Sequence, residues 1–408
     1  MNNKNNKLNR RQFAISGGAG LLAMAGLGKV HGAGIYGQGS KPLSDKFLAE
    51  LPKMMDFAGV PGVAAVEVKN GDVSWRQDFG VMNADTKESV TAQTVFPAAS
   101  LSKPVFSYAI LKLREEGLID LDKPLIEYLP GDISPNEPRT NKITARHVMS
   151  HSSGLQNWRF RATDELKLAF DPGTGFSYSG EGFVYLQRTI EKITGKSFAQ
   201  FMREKLFDPL GMTDSSYFWL PQYENRAAMS HNSRGQVRPP FGAKYIPKLI
   251  ELSEKWNKPL EAWRYEDYEK AMPEIEPDFP PLPNFMLLNA AASLQTTTKD
   301  FSKFLMLMLG QAKNKAAVKP RSLDDMLTSQ ILINGALSWG LGIGLENYGG
   351  HSYFWHWGDN GNYKCFVIGE RSKKWGMAIF TNGSYGNRIW ERIVREATGI
   401  DHPCFLWI

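Results

Sequence analysis

Two β-rich runs lie near one end of the chain and three near the other, with a long helical stretch between them. The early pair, "VAAVEVKNGDVSWRQDFGVMN", is joined at Asn70-Gly71. Both residues tolerate positive φ, so that dipeptide between alternating runs predicts a hairpin. The late runs are "SWGLGIGLENY", "NYKCFVIGERS" and "WGMAIFTNG". An unpaired hairpin is marginal in water, so strands so far apart in sequence are expected to meet in one sheet built from both ends of the chain. The expected fold class is α/β in the α+β sense: an antiparallel sheet flanked by helices, with an inserted, mainly helical domain.

The patterns between the runs support that frame. Residues 43–57 read as an amphipathic helix. From Pro104 to about residue 220 helical periodicity dominates. "FSYAILKLREEGL" has apolar residues at i, i+3 and i+4, and "EGFVYLQRTIEKITG" repeats the spacing and stops at Gly195. Residues 232–285 are rich in Pro, Trp, Tyr and charge, and read as an insertion or cleft cover with a short helix at 245–256. Helices at 299–309 and 387–398 complete the prediction.

The chain has 408 residues and a formal net charge of +6. Residues 1–32 contain Lys4, Lys7, Arg10, Arg11 and Lys29 and no acid, which leaves 43 basic against 42 acidic residues in the remainder. With no basic cluster beyond the N-terminus, nucleic acid is not an expected partner. "NRRQFAISGGAGLLAMAGLG" pairs two arginines with a short, Gly- and Ala-rich apolar stretch, the pattern of a twin-arginine export signal. Residues 1–32 are therefore expected to be a signal, 33–42 a linker and 43–400 the working domain, exported to the periplasm or beyond. No stable membrane span is expected after cleavage. Cys365 and Cys404 are the only cysteines, too few for a disulfide scaffold or a cysteine-based zinc site, and are expected to be free and buried.

Three short motifs carry candidate chemistry. In "PAASLSKPVF", Ser100 and Lys103 stand one helical turn apart on a shared face, and Pro104, tolerated only in a first turn, pins the helix start near Ser100. A serine at a helix start sits among unpaired N–H groups, where a carbonyl substrate becoming an oxyanion is stabilised. A neighbouring amine can take its proton. In "GTGFSYSGEGF", Tyr178 precedes Ser179 and Gly180 at a turn before a helix, a position for a general base. His356, Trp357 and Gly358 precede Asp359. A glycine beside a sheet edge admits a substrate backbone, and the following amide can donate to an oxyanion.

In this order and spacing the motifs resemble the β-lactamase-related serine hydrolases: class C β-lactamases, DD-peptidases and related esterases. "ITARHVMSHSSGL", "EKLFDPLGM" and "AASLQTTTKDFSKF" extend the resemblance over about residues 45–400, with 232–285 poorly matched. The resemblance implies Ser100 as acyl-forming nucleophile, Lys103 as proton shuttle and Tyr178 as base, with the order of proton transfer between the last two open. It implies an oxyanion hole from the amides of Ser100 and Asp359, and substrate contacts from His356, Trp357, Gly358 and Gly180, with Phe96 and Trp357 lining the cleft. No cofactor or metal is implied, and the substrate is a small acyl, ester or peptide compound, with a cell-wall fragment among the candidates. Gly180 replaces the Asn of YxN, which would bond a substrate amide, and His356 replaces the Lys of KTG. Both changes favour an esterase or peptidase over an efficient β-lactamase. The alternative is a weakly catalytic, penicillin-binding-like protein that senses cell-wall fragments. His147 and His151 stand at i, i+4 but lack a Glu between them or a third ligand, and no G-x-S-x-G is present, which disfavours a metallohydrolase and an α/β-hydrolase.

Overall fold

The computed structural model describes residues 35–36, 42–131, 133–134, 136–161, 163–239, 245–275, 284–312 and 314–408. The expected signal and most of the expected linker lie outside the described residues.

One nine-stranded antiparallel sheet organises the fold. Its strands are β1 (Ile35–Tyr36), β2 (Gly62–Lys69), β3 (Asp72–Gly80), β4 (Ile331–Leu332), β5 (Leu337–Trp339), β6 (Gly344–Tyr348), β7 (His351–Asp359), β8 (Lys364–Glu370) and β9 (Trp375–Thr381). Across the sheet they run β1-β3-β2-β9-β8-β7-β6-β5-β4. The two ends of the chain join at β2–β9, in register from Val63↔Thr381 to Lys69↔Trp375. The expected hairpin is β2–β3, with Asn70 at φ 54° and Gly71 at φ 87°. "SWGLGIGLENY", expected to form one strand, folds back as β5 and β6 around a turn with Gly342 at φ 78°.

Strand β2 shows why neither sheet face is wet. Its alternate residues Val63 and Ala65 pack on one side with Leu51, Met55, Ile389 and Trp390. Ala64, Val66 and Val68 pack on the other with Phe106, Phe301 and Leu305. The first face is covered by α1 (Asp45–Ala58) and the C-terminal helix 386–398; the second faces the helical part of the molecule. Ser44 Oγ caps α1 by accepting from the Phe47 amide at 3.2 Å, and Gly59, at φ 62°, ends it.

Helix α2 (Ser102–Glu115) differs from its amphipathic reading. Every residue from Ser102 to Leu111, and Leu113, is buried. It runs through the larger core, which overrides a pattern that leaves room for a wet face. Helix α3 (Gly180–Thr194) ends at Gly195 as expected. Within the 232–285 segment, α4 (Ile246–Lys255) matches the expected short helix, and α5 (Tyr265–Ile275) follows it. Leu252, Trp263, Tyr268 and Met272 form a satellite core that Val184 of α3 joins. The buried Glu191 carboxylate accepts from the Phe198 amide at 3.0 Å and the Tyr265 amide at 3.1 Å, tying α5 to α3. Helices α6 (Thr298–Met308) and α7 (Gly386–Thr398) correspond to the last two predicted.

Candidate active site

Ser100 lies in a tight turn between the short strand Phe96–Pro97 and α2. The turn, Ala99–Leu101, is a single 3-10 turn entered through Ala99 at φ 48°. A left-handed alanine costs about 1–2 kcal/mol, so the surroundings must hold it. They do: the Ala98 amide donates to Leu294 O at 2.7 Å, Ser102 Oγ donates to Ala99 O at 2.5 Å, and the Leu294 amide donates to Ser102 Oγ at 3.0 Å.

One turn on, Lys103 is buried to 1% exposure. Its Nζ lies 3.0 Å from Ser100 Oγ and donates to the Ala291 carbonyl, also at 3.0 Å. Burial alone pushes its pKa well below the ordinary lysine value. The Tyr178 ring is 4.6 Å from Nζ. The Tyr178 hydroxyl is buried beside Ser100, outside strict hydrogen-bond geometry. Burial raises its pKa, against a smaller lowering from the Ser100 hydroxyl, so the phenol keeps its proton at neutral pH. The site therefore holds an amine biased to be neutral and a phenol biased to be protonated, both at one hydroxyl.

Strand β7 supplies the third motif. Its pairing with β6 runs from Tyr348↔His351 to Gly344↔Trp355, whereas its pairing with β8 continues through Asp359↔Lys364. From His356 onward the β6 side of β7 is open. Gly358 lies so close to the Ser100 turn that a Cβ there would stand 2.6 Å from Ala98 O. Trp357 is half-buried with its ring 5.0 Å from that of Tyr178. Asp359 is exposed and ion-paired with Lys364 at 2.5 Å.

Two expected cleft residues lie elsewhere. His356 is fully buried; its Nδ1 is 2.7 Å from Trp357 O, and burial together with the Lys103 charge lowers its pKa to about 3. It is a neutral imidazole packed under the site, not a cation at the surface. Phe96 is also fully buried, against Phe380 at 6.0 Å, so it belongs to the core and does not line the cleft. Sequence reasoning placed His151 only in a rejected metal pair. His151 in fact lies against Tyr178 with ring centroids 4.1 Å apart and planes tilted by 31°, and its Nδ1 accepts from the Ser179 amide at 3.0 Å. Its φ of 55° is another strained conformation at the site. His147, by contrast, caps the helix Ala145–Met149, accepting at Nδ1 from the Thr144 amide at 3.3 Å. Among the described residues no group of His, Cys, Asp or Glu is arranged to hold a metal ion.

A second unpredicted group binds residues 155–159 to the start of α3. Gly180 N donates to both Asn157 O and Oδ1 at 3.0 Å, and Ser179 Oγ donates to Gln156 O at 2.8 Å. The buried Glu181 carboxylate accepts from the Arg159 amide at 3.0 Å and from Asn284 Nδ2 at 2.7 Å. The contacting residues come from three distant segments, so no local spacing announces them.

The family model described as Beta-lactamase matches residues 49–397. The chain belongs to the beta-lactamase family. That family comprises serine hydrolases, among them esterases, DD-peptidases and β-lactamases. Curated relatives include penicillin-binding protein 4* of Bacillus subtilis, 30% identical over 37% of this chain and 36% of its own length. The lovastatin esterase of Penicillium rubens is 30% identical over 35% and 44%. Esterase EstB of Burkholderia gladioli is 26% identical over 38% and 47%. The chain thus spans about half or less of the length of these relatives. Among solved structures, a class C beta-lactamase superposes with a TM-score of 0.67 at 16% identity, covering 87% of this chain and 95% of that one. The octameric penicillin-binding protein homologue from Pyrococcus abyssi gives 0.65 at 22%, covering 83% and 73%. These likenesses establish the class C β-lactamase fold. The two cysteines, Cys365 and Cys404, are free and buried, and no helix among the described residues is long and apolar enough to cross a membrane.

Proposed function

We propose that this member of the beta-lactamase family is an esterase or amide hydrolase that works through an acyl-enzyme on Ser100. The observation that carries the reading is the 3.0 Å separation of Lys103 Nζ from Ser100 Oγ, with burial biasing the amine toward its neutral form. A neutral amine that donates one N–H to Ala291 O keeps its lone pair for the Ser100 proton. Oγ then attacks the substrate carbonyl carbon, and the proton passes to Nζ. The Ser100 and Asp359 amides receive the oxyanion. On collapse the bond to the leaving alcohol or amine breaks, and that group takes a proton from the Tyr178 phenol, which recovers it from the Lys103 ammonium. Water, giving its proton to the restored amine, next attacks the acyl-enzyme; the acyl–Oγ bond breaks and Oγ takes that proton back from the Lys103 ammonium, leaving the acid and free Ser100.

The absence of a cation at His356 and of an amide side chain at Gly180 supports esters and simple amides over β-lactams. Lovastatin esterase and esterase EstB are named for ester hydrolysis, which agrees with this reading. The test is p-nitrophenyl butyrate turnover by purified protein beside its Ser100→Ala variant. Turnover that vanishes in the variant is the expected result; equal turnover in both overturns the assignment. A stoichiometric burst without turnover would favour the sensor of cell-wall fragments.

A further inference from the structure

Gly180 has no side chain because Trp158 occupies the place of one. A Cβ on Gly180 would meet the indole carbons of Trp158 at 2.1 to 2.5 Å. The indole thus packs against the backbone at Gly180, whose Cα stands at most about 7.6 Å from that of Tyr178. It does not stand alone. Phe285 lies 6.1 Å from Trp158 and 6.3 Å from Phe160, ring centre to ring centre, both pairs edge-on. Phe160 is 81% exposed, while Trp158 and Phe285 are half-buried. Three aromatic side chains in series, left partly open, form an apolar platform against the chain just beyond Tyr178.

The platform is held firmly. Asn157 clamps the Gly180 amide, and Glu181, buried and bonded to the Arg159 amide and Asn284, locks the segments that carry Trp158, Phe160 and Phe285 onto α3. Tyr265 of the inserted segment donates to Asn284 Oδ1 at 2.5 Å and supports the same clamp. Ordering cost is therefore met in the free protein, which is what a specificity surface requires.

We propose that Trp158, with Phe285 and Phe160, is an acyl-specificity subsite that selects esters of apolar, preferably aryl-bearing acids. This inference rests on the hydrolase reading above. A flat ring stacks on the indole and covers apolar surface at little conformational cost. An amide at the same place finds no side-chain partner at Gly180 and must shed its water unpaired.

The experiment compares p-nitrophenyl phenylacetate with p-nitrophenyl acetate, which share a leaving group. The expected wild-type kcat/KM favours phenylacetate about tenfold or more. Trp158→Ala is expected to lose about tenfold on phenylacetate, chiefly in KM, and to stay within about twofold on acetate. Trp158→Phe is expected to keep most of the preference. An equal loss on both esters would mean that Trp158 only supports the fold around Tyr178, and no loss on either would mean that the platform is not used; each result overturns the proposal. A second readout is independent of turnover: binding of p-nitrophenyl phenylacetate to Ser100→Ala protein, followed by quenching of tryptophan fluorescence. Binding weakened about tenfold by adding Trp158→Ala supports the subsite, and equal binding overturns it. Failure of the hydrolase reading itself appears separately, as turnover that survives Ser100→Ala.

Discussion

Lys103 is tethered to the main-chain carbonyl of Ala291, 188 residues away, and burial alone accounts for its lowered pKa. A buried amine without a carboxylate to stabilise its charge is costly for the fold and useful for chemistry. Replacement by an apolar side chain of similar length separates the two. Lys103→Met removes the desolvation cost but leaves Ala291 O without a donor, worth about 1 kcal/mol in the other direction. The expected result is a kcat/KM lower by about a thousandfold with Tm unchanged or raised by a few degrees. Calorimetry with an ester assay reads both. A Tm drop of more than about 5 °C would show that Lys103 is a stabilising charge in the native protein.

The same lysine sets an acid limb. Its folded pKa lies below its unfolded value, so the unfolded chain binds the extra proton between those two pH values and stability rises with pH across that window. Activity needs the neutral amine, so kcat/KM is expected to fall as pH drops through the depressed Lys103 pKa and to level off above it. A plateau reached well below pH 10.5, the ordinary lysine value, is the expected profile. A rate that keeps climbing to pH 10 and beyond would instead assign the base to an unperturbed lysine or to Tyr178.

How much of this was visible in the sequence depends on whether the cause was local. The β2–β3 hairpin is dictated by Asn70-Gly71, and the end of α3 by Gly195, so both were legible. Ser100, Lys103 and Tyr178 carried recognisable spacing, and the fold brings them together. The fate of His356 was not legible, because nothing in HWG says that β7 turns that ring beneath Trp357. The inward role of α2 was hidden too, since its polar residues Ser102 and Ser107 are buried by tertiary packing that its periodicity does not encode. The clamp at Glu181 joins residues 159, 181 and 284, a contact that only the folded chain creates.

Gly358 keeps β7 and the nucleophile turn at their spacing. An alanine there would place Cβ 2.6 Å from Ala98 O and 3.1 Å from Ala99 Cβ. The first of these is backbone, so the strained turn at Ala99 must shift. Gly358→Ala is expected to fold, with a Tm lower by a few degrees, and to lose about a hundredfold in kcat, since a displacement near 1 Å is enough for that. A variant with wild-type kcat would show that the turn yields freely and that its position is not what the glycine preserves.

Glu191 of α3 accepts from two backbone amides, that of Phe198 just past α3 and that of Tyr265 in the inserted segment, and burial raises its pKa to about 7 despite both bonds. Between its ordinary 4.5 and about 7 the folded protein holds a proton that the unfolded chain has released. Stability is therefore expected to decline as pH rises through that window. Glu191→Gln removes the titration but turns an NH2 toward one of the amides it must accept from. The expected cost is about 1–3 kcal/mol at pH 5, where the wild type is protonated in the fold, with a flatter dependence on pH than the wild type. Melting curves at pH 5 and pH 8 for both proteins check it. Parallel pH dependence in the two would mean that another carboxylate governs the trend, and an unchanged Tm at pH 5 would mean that the two amides have other acceptors within reach.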